Sequence, residues 1–324
     1  MAGQCRTGYA RVAALPNLVS VSDPLVWLPF DPALLGDPPG GLRYEVVDPT
    51  AHVPGSVEDV RFYVTPYAVG PGVADVLPRM SRLEVVQTLS AGVDNVRGRV
   101  PDGVTLCNGR GIHDTSTAEL TLTLILASLR GIPQFVRAQD RGSWEFAWRP
   151  ALADKRVLLV GYGAIGAAIE ARLRPFEAEV VPVARRARDG VHAIDELPDL
   201  LPDADVVVLV LPLTDATRGL VDATFLGRMK HGALLVNVAR GAVVVTDDLV
   251  AALHAGRITA AVDVTEEEPL PARHPLWDAP GLLVSPHVGG ASSAMWPRAH
   301  RLVRDQLHRY AGREPLANVM SGDY

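Results

Sequence analysis

Cysteine is scarce in this chain of 324 residues: Cys5 and Cys107 are the two it has, about a hundred positions apart. So few thiols exclude a disulfide framework and the paired-cysteine spacing of a zinc site, and no metal is expected; reduced thiols of a cytoplasmic protein are the reading. Excess basic charge is also lacking. Lys and Arg number 31 against 37 Asp and Glu, a net charge of −6, so neither nucleic acid nor an anionic membrane is expected as a partner. No stretch free of charge and proline reaches the length of a membrane span. Near the N-terminus, Arg6 and Arg11 precede no adequate apolar core, and Pro16 and Asn17 interrupt what there is, so no signal peptide is expected. Repeats and low-complexity tracts are missing too. What is present is 48% hydrophobic residues over a length sufficient for two domains, each with its own core.

The first third reads as a small α/β unit. Apolar runs at 25–30, 44–47, 60–64, 83–89 and 104–107 have strand length, and Pro/Gly/Asp clusters such as 36–41 separate them. A nearly all-apolar helix is expected from about Thr115 to Arg130, buried between layers or at a subunit contact, with Gly131-Ile132-Pro133 breaking it. From Arg156 onward strand and helix alternate as in a doubly wound parallel sheet. Strands are expected at 157–160, 179–183, 205–211, 233–237, 259–263 and 282–285. Pro182 is awkward in the second of these because it cannot donate to a ladder. Thr246 is expected to cap the helix that Gly256 stops, and Ser292/Ser293 to open a long basic helix to about Tyr310.

One turn carries chemistry by itself. Val157-Leu158-Leu159-Val160 runs into Gly161-Tyr162-Gly163-Ala164-Ile165-Gly166, and a good helix former follows. Strand, Gly-x-Gly-x-x-Gly and helix in that order form a dinucleotide site: the backbone turns tightly, a pyrophosphate approaches it, and the helix N-terminus faces the anion. Many NAD sites carry an acid about 20 residues further on, to hold the ribose 2′-hydroxyl. Here Val183-Ala184-Arg185-Arg186-Ala187-Arg188 stands there instead. With no carboxylate to repel a 2′-phosphate and guanidiniums to pair with it, NADP(H) is the expected cofactor, through Arg185 and Arg186, with NAD(H) as the lesser substrate.

Three further stretches follow successive strands: Asn237-Val238-Ala239-Arg240-Gly241, the run from Asp263 to Pro271, and Ser285-Pro286-His287-Val288-Gly289-Gly290. With the glycine turn and Leu211-Pro212-Leu213-Thr214, these resemble the D-isomer-specific 2-hydroxyacid dehydrogenase family, in its glyoxylate/hydroxypyruvate reductase branch. The resemblance runs from about Leu83 to Val319. It implies a Rossmann dinucleotide-binding domain at 113–289 and a smaller flavodoxin-like α/β substrate domain at 1–112 and 290–324, with a cleft between them that closes on substrate. It implies that Arg240 orients the substrate, Glu268 is the acidic partner and His287 the general acid/base. Glu268 rather than Glu266 or Glu267 takes that role because it directly precedes Pro269-Leu270-Pro271. Ala91 and Gly92, in Ala91-Gly92-Val93-Asp94-Asn95, match the loop whose N–H groups grip a 2-oxo acid.

The cofactor contacts it implies, besides the glycine turn and the two arginines, are Leu211, Pro212, Val238, Ala239, Arg240, Asp263, His287, Gly289 and Gly290. Asp263 would hold the nicotinamide carboxamide or nearby backbone. Two departures stand out: Ala164 where the family often has Arg, and His113 where Asn is frequent. The implied activity is reversible reduction of a small 2-oxo acid to a D-2-hydroxy acid by a homodimer, with Trp144 or Trp148 packing at the interface or reaching the partner's site. A dinucleotide-sensing binding protein of the corepressor type is the alternative on the same fold. The residue types suit the chemistry. An alkoxide formed by hydride attack needs a proton and nearby positive charge, and a carboxylate beside His287 would keep the imidazole charged.

Overall fold

In a computed structural model of the chain, the described residues are 23–67 and 72–321. Cys5, Arg6, Arg11, Pro16 and Asn17 lie outside them. Among the described residues the apolar runs form two sheets in which every pair of named strands is parallel. The chain folds as two compact units. Of the described residues, one holds 23–67, 72–89, 95–108 and 299–320; the other holds 90–94, 109–298 and 321.

The first unit contains β1 (Leu25–Leu28), β2 (Arg43–Val46), β3 (Val60–Val64), β4 (Val85–Gln87) and β5 (Thr105–Cys107). They lie in the order β2-β1-β3-β4-β5, the flavodoxin-like arrangement. Trp27, Phe62 and Tyr63 fill its centre with 1% exposure or less. Residues 299–311 of the helix Met295–Ala311 pack here through a buried amide pair. Gln306 Nε2 donates to Gln87 Oε1 (2.8 Å) and to the Ala317 carbonyl (2.9 Å), and Gln87 Nε2 donates to the Thr88 and Asn108 carbonyls. These partners satisfy two polar side chains that a core would otherwise exclude. Burial pushes the Cys107 thiol up to about 11, which keeps it protonated and inert.

The second unit contains β6 (Arg156–Val160), β7 (Glu179–Ala184), β8 (His192–Ala193), β9 (Val206–Leu209), β10 (Leu234–Asn237), β11 (Thr259–Val262) and β12 (Leu282–Val284). Their order, β12-β11-β10-β9-β6-β7-β8, reverses direction between β6 and β9, which is the crevice where doubly wound sheets bind ligands. Alternate residues face opposite layers, and both layers are buried. Leu158, Val160, Val207, Leu209 and Leu235 pack into one core, and Val157, Leu159, Val206, Val208 and Leu234 into the other. Continuous β-branched and leucine runs are what such double coverage demands.

Pro182 fits its strand because of where its nitrogen points. Glu179 N donates to the Lys155 carbonyl just before β6, so alternation turns the nitrogens of Val181 and Val183 to β6 and that of Pro182 outward. β8 pairs with β7 only at Val183 and Ala184.

The helix expected from Thr115 runs Asp114–Arg130, buried inside this unit on Ala118, Leu122 and Ile125. Gly131, at φ 67°, ends it, but a second helix, Ile132–Asp140, starts at once, because Pro133 is welcome in a first turn. Thr246 is the first residue of its helix rather than its cap; Val245 takes that place, with no side-chain bond. The last helix begins at Met295, past the expected serines, and Ser292 Oγ accepts from Ala294 N (3.2 Å) just ahead of it. Ser292 Oγ lies 2.6 Å from Ser116 Oγ, and Arg298 Nη2 donates to Thr115 Oγ1. These bonds tie 290–298, read as part of the other domain in the sequence, to the glycine-turn unit. Among the described residues no helix is long and apolar enough to cross a membrane.

Candidate active site

Strand register brings the motif residues to one edge. Val160, Leu209, Asn237, Val262 and Val284 are successive partners across β6, β9, β10, β11 and β12, so the segments after them emerge side by side. At the β6 end, Gly161 adopts φ 107°, and a Cβ there would stand 2.6 Å from the Val210 carbonyl oxygen. A Cβ on Gly166 would stand 2.6 Å from the Gly161 carbonyl oxygen. The protein itself therefore requires these two glycines. Gly163 is different: its backbone is extended (φ −99°) and a Cβ would meet nothing within 4 Å. Gly163 is also the N-cap of the helix Ala164–Leu173 and offers no side-chain cap, so the first N–H groups, with Ala164 and Ile165, face this opening. Space beside uncapped N–H groups fits the pyrophosphate of a dinucleotide.

Arg185 and Arg186 are exposed just beyond β7. A tight hairpin between Arg188 and Val191 follows, and Arg188 Nη2 donates to the Tyr162 carbonyl (2.6 Å) with its guanidinium 5.5 Å from the Tyr162 ring centre. The basic run is thus fastened beside the glycine turn. After β9, Leu211 is buried and Pro212 exposed, and the Thr217 hydroxyl closes their loop on the Pro212 carbonyl (2.8 Å).

Arg240 is placed by Asn237. That buried side chain accepts from Ala239 N (3.0 Å) and donates to the Arg240 carbonyl (3.0 Å), forming a local turn that carries Val238 and Ala239 and projects the arginine. Gly241 lets the turn lie on the next loop, since a Cβ there would fall 1.9–2.2 Å from Thr265 C, Thr265 O and Glu266 N. The guanidinium meets Asp94 through Nε (3.2 Å to Oδ1) and its own Ala239 carbonyl through Nη1 (2.8 Å). Nη2 lies against Gly92, which Ala91 precedes.

His287 and Glu268 form the centre of the arrangement. His287 Nδ1 lies 2.6 Å from Glu268 Oε2, and Glu268 Oε1 accepts from Thr265 N (3.1 Å). The His287 side chain is 47% exposed, so the rest of the ring is open to a ligand. Its backbone is left-handed (φ 52°), a costly conformation for a non-glycine residue. Asp263 holds it there. The Asp263 carbonyl accepts from His287 N (2.7 Å), and its carboxylate accepts from Val288 N (2.9 Å), Gly289 N (2.8 Å) and Ser285 Oγ (2.6 Å). Of the two roles expected for Asp263, holding nearby backbone is the one visible here. Thr117 Oγ1 adds a bond to the Gly289 carbonyl, and Gly290 is buried beside it.

The hydrogen bond to Glu268 raises the His287 pKa against burial and the Arg240 charge, both of which lower it. Burial alone would raise Glu268, but the bond and charge of His287, Thr265 N–H and the Arg240 charge together carry it below its ordinary value. An imidazolium beside a carboxylate and a guanidinium can give a proton to an oxygen while an anionic group is held close by.

The structure therefore gathers Arg240, Glu268 and His287 with Gly92. His113, buried at the N-cap of the helix Asp114–Arg130, makes no side-chain cap bond there. Sequence reading gave no role to Asn237, Thr117, Ser285 or the Asp94 side chain. Asn two residues before Ala239 at a strand end is a turn signal that could have marked the first. The others bond residues 22 to 172 positions away and leave no local signature.

Known proteins share this arrangement of strands and loops. The model of the D-isomer specific 2-hydroxyacid dehydrogenase NAD binding domain matches residues 122–289, just over half of the chain. A glyoxylate reductase of Thermofilum pendens is 34% identical over 264 residues, 76% of this chain and 77% of that protein. A D-isomer specific 2-hydroxyacid dehydrogenase from Xanthobacter autotrophicus Py2, solved with NADPH and MES, has a TM-score of 0.79 and 33% identity over 93% of this chain and 98% of its own. An NADPH-dependent glyoxylate/hydroxypyruvate reductase from Sinorhizobium meliloti, solved with NADP and sulfate, has a TM-score of 0.79 and 27% identity, covering 93% and 98%. Glycine turn, matched domain and chain-length likeness lead to one conclusion: this chain belongs to the D-isomer-specific 2-hydroxyacid dehydrogenase family, with one Rossmann unit and one flavodoxin-like unit.

Proposed function

We propose that the protein reduces a small 2-oxo acid, such as glyoxylate, hydroxypyruvate or pyruvate, reversibly to the D-2-hydroxy acid, with NADP(H) preferred over NAD(H). The observation that carries this reading is the 2.6 Å His287–Glu268 contact, within the influence of the Arg240 charge, on the same sheet edge as the uncapped glycine turn. The glycine turn would hold the pyrophosphate of the dinucleotide, whose reduced nicotinamide would supply the hydride. Arg240 pairs with the substrate carboxylate and polarises the adjacent carbonyl. The N–H groups around Ala91 and Gly92 hold the same carboxylate. His287, kept protonated by Glu268, gives its proton to the forming alkoxide, and in the oxidative direction its neutral form takes that proton back. Leu211, Pro212, Val238, Ala239, Gly289 and Gly290 line the cofactor path, with Asp263 beneath the last two.

Two features support NADP(H): residues 185–188, directly after β7, include no carboxylate, and Arg185 and Arg186 extend exposed from a run fixed beside the glycine turn. Similar solved structures include one that holds NADPH and others that hold NADP. Homodimer formation is supported by Trp144, Phe146 and Trp148, which are 98%, 79% and 90% exposed in a single chain, a degree of apolar exposure that marks contact surfaces. In this reading the unit with β6–β12 binds the dinucleotide and also carries Ala91, Gly92, Arg240 and His287, the residues that meet the substrate.

Steady-state kinetics across a panel of 2-oxo acids, with NADPH and NADH, tests it. Turnover with higher kcat/KM for NADPH is expected, falling toward parity in Arg185→Ala/Arg186→Ala. A clear NADH preference overturns the cofactor assignment. A panel without turnover, alongside tight dinucleotide binding, overturns the reductase and favours the sensor.

A further inference from the structure

We propose that Asp94 is a positioning residue for substrate recognition: its carboxylate fixes the rotamer of Arg240 and so decides which guanidinium edge meets the substrate. This rests on the reading of Arg240 as the substrate-orienting arginine. Arg240 Nε reaches both Asp94 oxygens, at 3.2 and 3.3 Å, and Nη1 donates to the Ala239 carbonyl at 2.8 Å. With Nε engaged, the side-on pair formed by Nε and Nη2 is closed to a second carboxylate. A ligand carboxylate has to approach through Nη2, which lies at Gly92. A guanidinium presents its donors in a rigid plane, so fixing Nε and Nη1 fixes that plane as well.

The anchor itself sits on a held loop. Ser90 Oγ donates to the Gly92 carbonyl (2.7 Å), and Gly109 N donates to the Ser90 carbonyl (2.7 Å). The side chains of Asp94 and Arg240 are 32% and 28% exposed, so solvent reaches the pair only in part. Gly92 completes the device. A Cβ there would stand 1.8 Å from Arg240 Nη2 and 2.9 Å from Asp94 Oδ1, so a side chain at 92 and the observed rotamer of Arg240 exclude each other.

A double-mutant cycle on the full-length protein tests this, with the 2-oxo acid that turns over fastest. Asp94→Asn is expected to raise KM for the acid about tenfold or more, while Tm and NADPH affinity stay as in the parent. Arg240→Lys removes Nε, so adding Asp94→Asn to it is expected to change kcat/KM less than about twofold. Gly92→Ala provides an independent arm. The atom in its way is the end of a flexible side chain, so the fold is kept while kcat/KM falls. Asp94→Glu, which retains the carboxylate, is expected to recover part of the loss seen in Asp94→Ala. Single effects that multiply in the double mutant overturn the inference. So does Asp94→Asn that leaves KM within twofold while Arg240→Lys is impaired, and so does loss of KM accompanied by equal losses in Tm and NADPH affinity. If Arg240→Lys is itself unimpaired, the substrate role of Arg240 fails and the inference with it.

Discussion

The two ends of one sheet edge are built on opposite plans. Beyond β6 the chain withdraws side chains: two glycines are required by neighbouring backbone, a third opens onto empty space, and the helix that follows is uncapped. Beyond β10, β11 and β12 the chain does the reverse. Asn237, Asp263 and Glu268 each hold backbone or a neighbouring side chain through two or more bonds, and loops lie on one another at Gly241. The difference suits the tasks proposed for the two regions. A diffuse polyanion is best met by several backbone dipoles with room to approach, whereas a proton must leave one atom at one place, which takes side chains that cannot wander.

The sharpest break between the ends is catalytic. His287→Ala is expected to lower kcat by about 10³-fold, within the range for losing a general acid, with NADPH affinity unchanged in a fluorescence titration; near-normal turnover would refute the proton-donor role. Next comes a pair of alanines. Gly241→Ala drives a Cβ into the Thr265 and Glu266 backbone and should cost about 3 kcal/mol or more in denaturant unfolding. Gly163→Ala meets open space and should stay within about 0.5 kcal/mol of the parent while weakening NADPH binding. Equal destabilisation by the two would erase the contrast.

A smaller effect is a shift in pH. Because Glu268 raises the His287 pKa, the proposed reduction should persist above the ordinary histidine range and fall as pH rises through the raised value, while oxidation should gain over the same interval. Glu268→Gln leaves burial and Arg240 in command, so the alkaline limb of kcat/KM for reduction should move to lower pH. A limb that stays put would mean another group carries the proton. The smallest effect concerns stability. The His287–Glu268 pair adds to it between the lowered pKa of Glu268 and the raised pKa of His287, and the addition fades on either side. With both side chains more than a third exposed, thermal unfolding across pH should register well under about 1 kcal/mol from it.

How much of this was legible in the sequence depended on distance along the chain. Gly161 to Gly166 could be read because strand, turn and helix are contiguous, and the continuous apolar runs announced strands covered on both faces. Arg240, Glu268 and His287 could be named only as a set of motifs, since residues 28 and 19 positions apart meet through strand order and register rather than local pattern. Asp94 stayed hidden because its partner is 146 positions away and its loop was read for its backbone alone. Thr246 misled for a local reason: a threonine before a helical run signals a cap, but here the backbone of Val245 takes that position with no side-chain bond. The left-handed backbone of His287 had no signal at all, because Asp263 imposes it from another strand.

Pro182 has a consequence beyond its own strand. Its ring interrupts the donors along the outward border of β7, and the two residues of β8 occupy the rest of that border's end. A strand from another molecule laid along this flank would find a gap in the middle of its ladder, so the seven-stranded sheet resists fibre-like extension on this side. A contact between copies of this chain that avoids this flank would use side chains, and among the described residues Trp144, Phe146 and Trp148 are the large apolar ones held furthest into water.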